Sequence, residues 1–161
     1  MNDSEKRLTP QQALTKIEFF CAYQERCHQE VLLKLKSYGL NQAEQDQILV
    51  KLIHSDFINE ERFAKAFAGG KFRQKKWGKT KIILELKKRK ISDYCINKAL
   101  SEIEEINYDQ TIEALASKYF NTIKQGQLFI RQQKTIKYLM GKGYEYDLCQ
   151  ETVKKLVIIS K

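Results

Sequence analysis

The amino-acid sequence predicts an all-α fold: three tandem three-helix repeats, each resembling a helix-turn-helix, in an elongated array that can curve. Composition is the first observation behind this reading. One Pro and seven Gly in 161 residues, with abundant Lys, Leu, Glu and Gln, leave few helix breakers and many strong helix formers. The second observation is an apolar pattern with separations of 3, 5, 9 and 3 that occurs three times. It reads Leu32, Leu35, Leu40, Leu49, Leu52, then Ile83, Leu86, Ile91, Leu100, Ile103, then Ile136, Leu139, Tyr144, Val153, Leu156. Each occurrence describes two helices joined by a tight turn, with Leu40, Ile91 or Tyr144 plugging the angle between them. The third observation is a further apolar stretch at helical spacing before each pair: Leu14 to Tyr23, Phe63 to Phe72 and Ile112 to Phe120.

Taken in order, residues 1–8 form a polar N-terminal tail, 9–57 the first repeat, 58–106 a basic second repeat and 107–161 the third. Thr9, Pro10 and Gln12 open the first helix as a cap, a first-turn proline and the far half of a capping box. Leu14, Ile17, Phe20 and Cys21 follow at helical spacing. The second helix covers His28 to Ser37 with Val31, Leu32 and Leu35 on one face, and Gly39 supplies a left-handed stop. Asn41, with Glu44 three residues on, starts the third helix through Ile48, Leu49 and Leu52. Asn59 caps the next repeat, and Asn107 or Asp109 the one after. Lys124-Gln125-Gly126-Gln127 marks a longer loop inside the third repeat.

Charge is concentrated in one place. Between Lys71 and Lys90 stand ten Lys or Arg and a single acid, Glu85, while the other 141 residues balance at 19 basic and 19 acidic groups. The net charge of +9 and the pI near 9.3 therefore describe one segment, whose partner is a polyanion or an acidic protein surface. Phe72 and Trp77 interleave with these cations, offering stacking beside phosphate contact; Phe72 reads as core, and Trp77 as core or stacking platform. No apolar run approaches the roughly 20 residues of a membrane span, so no membrane association and a cytoplasmic location are expected.

The residues that would carry catalysis or hold a cofactor are missing. Gly78-Lys79-Thr80 has the end of a phosphate loop, but Arg73 stands where that motif needs a glycine, and the preceding segment reads as helix rather than strand. Gly78 instead matches Cys27 as a helix start. His28 and His54 have no triad partners at a supporting spacing. Glu102, Glu104, Glu105 and Asp109 read as a solvated face, and Cys21, Cys27, Cys95 and Cys149 as buried, reduced thiols. Cys21, Cys27 and His28 make a poor zinc set, because a five-residue gap has no second pair downstream. No enzyme, cofactor or metal is expected.

Ile58 to Ile91 is similar to the signature of the RecX regulatory proteins. The segment Ile58-Asn59-Glu60-Glu61-Arg62-Phe63-Ala64 is followed by Gly78-Lys79-Thr80-Lys81-Ile82, the pair Glu85-Leu86, and the basic turn Lys87 to Ile91. Cys27, Glu30, Val31, Lys34 and Leu35 also resemble the family's S-x-x-E-L-x-x-K-L. The likeness runs from Ala13 to Leu100 and continues through the third repeat mainly in the five-residue pattern. Two departures stand out. Cys27 replaces a capping Ser, weakening that helix start by up to about 1 kcal/mol unless another group substitutes. Lys90 replaces a Gly before the plug, so a left-handed backbone there costs roughly 1 kcal/mol, or the turn differs.

The resemblance implies a modulator of the RecA recombinase that binds within the groove of the RecA filament on DNA, and a monomer is expected. By spanning neighbouring protomers it would hinder filament growth or promote disassembly, and so lower ATP hydrolysis, strand exchange and coprotease activity. A stand-alone DNA-binding helical repeat acting through its basic segment is the competing reading, and a helical scaffold for another protein a third. The residues expected to meet the partner are Lys71, Arg73, Lys75, Lys76, Trp77, Lys79, Lys81, Lys87, Lys88 and Arg89.

Overall fold

Helix starts follow the capping chemistry of the sequence. Thr9 Oγ1 accepts from the Gln12 N–H at 3.2 Å while Gln12 Oε1 accepts from the Thr9 N–H at 3.0 Å, and Asn41 and Glu44 repeat the exchange at 2.9 and 3.2 Å. Asn59 caps with a single bond to the Arg62 N–H at 2.8 Å. The computed structural model describes residues 7–159, and these hold nine α-helices and no strand. They are α1 (Pro10–Tyr23), α2 (His28–Ser37), α3 (Gln42–His54), α4 (Glu60–Lys75), α5 (Lys79–Lys88), α6 (Asp93–Ser101), α7 (Glu105–Thr122), α8 (Leu128–Gly141) and α9 (Tyr146–Ile159). Of the expected N-terminal tail, all but Arg7 and Leu8 lies outside the described residues. The extensive helix–helix packing falls within three groups, α1–α3, α4–α6 and α7–α9, so the tandem repeat of three-helix units is observed directly.

The third unit starts earlier than a cap at Asn107 or Asp109 implies. Glu104 holds the cap position, and its carbonyl accepts from the Tyr108 N–H at 3.0 Å. Tyr108 is the cause: it is 4% exposed and lies on the inner face of α7, where its ring packs against Phe72 and Tyr144.

In the first two units the register of the core is one residue off the apolar pattern at two of its five positions. The buried set is Val31, Leu35, Leu40, Ile48, Leu52 in the first unit and Ile82, Leu86, Ile91, Ala99, Ile103 in the second. In the third unit the pattern's own Ile136, Leu139, Tyr144 and Val153 are buried, joined by Thr135 and Thr152, with Leu156 half-buried. Leu32, Ile83, Leu49 and Leu100, prominent in the sequence, flank this seam and are half-buried. Thr135 and Thr152 sit in it because each hydroxyl donates to the carbonyl one turn back, Arg131 at 2.9 Å and Leu148 at 2.7 Å, and so presents a methyl group to the core.

Each turn between the second and third helices of a unit carries a left-handed residue: Gly39 at φ +85°, Lys90 at +59° and Gly143 at +99°. The Ile91 and Tyr144 N–H groups then donate back to Leu86 and Leu139, 3.2 and 3.1 Å away. Lys90 thus adopts the left-handed backbone despite its side chain. Cys27 is fully buried, its N–H held by the Glu30 carboxylate at 3.4 Å, so the position serves packing while Glu30 supplies the remaining half of the cap. All four cysteines are buried free thiols, and burial pushes Cys21 and Cys149 up to about 11.

Lys90→Gly relieves the strained turn and should raise unfolding stability by up to about 1 kcal/mol. Chemical denaturation with unchanged m-value checks this, and a lower midpoint contradicts it.

Candidate functional site

The basic segment spans the end of α4, the turn after it, and the whole of α5. Helical spacing aligns its members: Phe67 and Lys71 lie four residues apart on α4, and Lys81, Glu85 and Arg89 follow at the same interval along and just past α5, with Trp77 in the turn. Together they make a strip of alternating cations and rings. The Arg89 guanidinium lies 4.8 Å from the Phe67 centroid, and Lys71 Nζ lies 5.5 Å from Phe67 and 5.0 Å from Trp77. Lys81 Nζ lies 4.6 Å from Trp77, which meets Phe67 edge-on at 6.3 Å. Each such contact is worth about 0.5–1 kcal/mol at a solvated site. Trp77 is half-buried against the core and its ring carries two ammonium groups. The ring thus packs on the core with one part and supports two cations with another. Phe72 is core.

The remaining cations go elsewhere. Lys88 and Arg89 both pair with Glu85, at 3.1 and 3.2 Å, and these bonds hold its carboxyl below the usual range. Lys87 is exposed on α5. Arg73 and Lys76 turn toward α7, where with Lys118 they line a groove of about 560 Å³ floored by Phe72, Ala114 and Leu115.

Lys75 to Thr80 form the joint with the third unit. The Gly78 N–H donates to the Lys142 carbonyl at 2.8 Å, the Thr80 N–H to Gly143 at 2.9 Å, and the Lys79 N–H to the Tyr108 hydroxyl at 2.9 Å. That hydroxyl donates to Glu145 at 2.9 Å, Lys79 Nζ lies 4.6 Å from the Tyr108 centroid, and burial pushes the phenol well above its ordinary range. In return Lys142 Nζ donates to the Lys75 carbonyl at 3.2 Å and the Tyr144 hydroxyl to Lys76 at 3.0 Å. The α5 amides that a phosphate loop would use are therefore already occupied by protein acceptors. A Cβ on Gly78 would lie 2.3 Å from the Gly143 carbonyl, so glycine here is a requirement of packing. Sequence reasoning missed Phe67, four residues before Lys71 but outside the charged segment, and Lys142, at the turn position that Arg89 holds in the second unit.

His54 is exposed, His28 is half-buried at the start of α2, and Glu102, Glu104, Glu105 and Asp109 are exposed, Glu102 pairing with Lys65 at 3.3 Å. Among the described residues no group of three His, Cys, Asp or Glu is placed to hold a metal ion, and no helix is long and apolar enough to cross a membrane.

Fold and site together define a tandem three-helix-repeat protein with a ring-backed cationic strip on its middle unit. Residues 59–100 match the family model described as RecX, second three-helix domain, and residues 107–153 match RecX, third three-helix domain, together more than half of the chain. The chain belongs to the RecX family. It is 26% identical over 133 residues to the regulatory protein RecX of Clostridium perfringens, covering 81% of this chain and 62% of that one. The regulatory protein RecX of Chlorobium phaeobacteroides is 28% identical over 134 residues, covering 82% and 85%. The crystal structure of RecX from Lactobacillus salivarius superposes with a TM-score of 0.82 at 25% identity, covering 92% of this chain and 97% of that one.

Gly78→Ala forces the two backbones of the joint apart and should lower stability by roughly 1–3 kcal/mol. Thermal unfolding reads the loss, and an unchanged Tm contradicts the contact.

Proposed function

We propose that this chain regulates RecA by binding within the groove of the RecA filament on DNA, limiting filament growth and with it ATP hydrolysis, strand exchange and coprotease activity. The observation that carries this reading is RecX family membership, joined to the confinement of the net charge to the middle unit. Lys71 and Lys81, held by Trp77, meet DNA phosphates or acidic RecA surface, with Lys75, Lys79 and Lys87 beside them. Arg73 and Lys76 serve the same partner from the α7 side, and Lys88 and Arg89, tied to Glu85, contribute less charge. The flanking units extend the contact along the groove. The protein acts as a monomer, by occupying its partner rather than by catalysis.

Substoichiometric protein should lower the DNA-dependent ATPase of the cognate RecA severalfold and bind preformed filaments. Unchanged ATPase with no filament binding rejects the proposal.

Stand-alone DNA binding is favoured by one observation: Lys71 and Lys81 are backed by rings instead of carboxylates, which leaves their charge available. On that reading the double variant Lys71→Gln/Lys81→Gln reduces the slope of log affinity against log salt by about 0.9 per lost duplex phosphate contact. A variant that loses DNA binding but still inhibits RecA counts against it.

A further inference from the structure

Equivalent joints in a repeat array should look alike, and the two here do not. By repeat position Cys27 corresponds to Gly78 and Lys90 to Gly143. At the joint between the second and third units the two glycines let backbones touch, and one hydrophobic cluster runs through both units. At the joint between the first and second units both positions carry side chains. The close approach is then sterically barred, and among the described residues no backbone hydrogen bond links Cys27–Gln29 to Arg89–Ile91. The core of the first unit is a separate cluster, and Cys27 is its one buried residue that joins the other.

The space so opened is a cavity of about 380 Å³. Leu32, Leu33 and Ile91 line it, Leu33 remaining 63% exposed, and Lys36, Arg89 and Lys90 stand around them. Glu60 is the one acid in the lining. Its carboxylate is spent within the unit: Oε1 accepts from the Ser92 N–H at 2.9 Å and Oε2 faces the Cys95 thiol at 3.8 Å. Lys36 and Lys90 make no ion pair among the described residues. The cleft thus combines an apolar floor with an excess of positive charge at its edge.

We propose that the cleft between the first and second units is a docking site for an acidic amphipathic segment of a partner protein. The segment's apolar side chains cover Leu32, Leu33 and Ile91, and its carboxylates meet Lys36 and Lys90. A single-stranded nucleic acid fits less well, because the floor is aliphatic and His28 is the one ring in the lining, too few for a run of stacked bases. The site does not rest on the RecA reading and lies apart from Lys71, Trp77 and Lys81.

The test uses the full chain and a fluorescein-labelled helical peptide of about four turns with Leu on one face and Glu on the other. Counterparts carry Lys for Glu or Ser for Leu. Fluorescence polarisation should show binding of the Leu/Glu peptide alone, weakened at least about tenfold by Leu33→Asp with Lys36→Glu, and unchanged by Lys71→Gln/Lys81→Gln. Circular dichroism controls for folding. As a second measurement, Leu33→Cys, whose new thiol is exposed while the four native thiols are buried, carries an environment-sensitive dye that should shift to the blue on peptide addition. No binding, binding indifferent to Leu33 and Lys36, binding lost in the Lys71/Lys81 variant, or displacement by a single-stranded oligonucleotide overturns the proposal.

Discussion

The second and third units are joined by a contact between two stretches of backbone, Gly78–Thr80 at the start of α5 and Lys142–Tyr144 at the end of α8. Much of the basic segment's architecture depends on it. Gly78 has no side chain with which to cap α5, and the first turn of that helix holds Lys79 and Lys81 with no acid, an arrangement that opposes the helix dipole by about 0.3–1 kcal/mol per charge. The third unit supplies what is missing. Carbonyls at the C-terminal, electronegative end of α8 accept the amides at the N-terminal, electropositive end of α5, so two dipoles meet head to tail. The chain can therefore place lysines at a helix start, where they would otherwise destabilise it, because a neighbouring unit compensates.

That compensation links packing to electrostatics. The side chains of Lys75 and Lys76 are exposed while their carbonyls are fixed inside the joint, and the rings of Trp77, Phe67 and Tyr108 bring Lys71, Lys79 and Lys81 to set positions. A lysine held over a ring loses less side-chain freedom on meeting a phosphate or a carboxylate than one waving in solvent. Ten cations on a disordered loop would carry the same net charge and bind less tightly.

The all-helical repeat, the caps at Thr9, Asn41 and Asn59 and the left-handed stop at Gly39 were legible because each rests on local chemistry, while Lys90 left its turn open between two geometries. The core register was less so. In the first two units apolar identity favoured Leu32 and Ile83 over the true seam; in the third Ile136 and Val153 are buried as the pattern implies, and the buried Thr135 and Thr152 beside them carry a hydroxyl whose local hydrogen bond no linear pattern reveals. The start of α7 was misplaced because it is drawn back by Tyr108, whose partners lie in other helices. The charged segment itself was evident from counting. Its division into a ring-backed strip, a groove facing α7 and a buried joint was not, since that division depends on which way α4 turns Lys71 and Arg73 and on residues as distant as Tyr108 and Lys142.

The same logic explains why Lys90 is informative. A glycine there would permit the tight joint seen one unit further along, and Gly39 and Gly143 show that the turn itself favours glycine. Lysine at a left-handed position costs about 1 kcal/mol of local strain and, with Cys27 opposite, forbids close approach. Both substitutions act in one direction: they trade a sealed joint for a cleft edged with positive charge. The array thus has one joint between units that share a core and one at which the first unit keeps its own core, touching the second through the buried Cys27 and the Arg62–Glu25 ion pair. If partners bind at both the strip and the cleft, the second unit, which borders both, is where their effects on one another must meet.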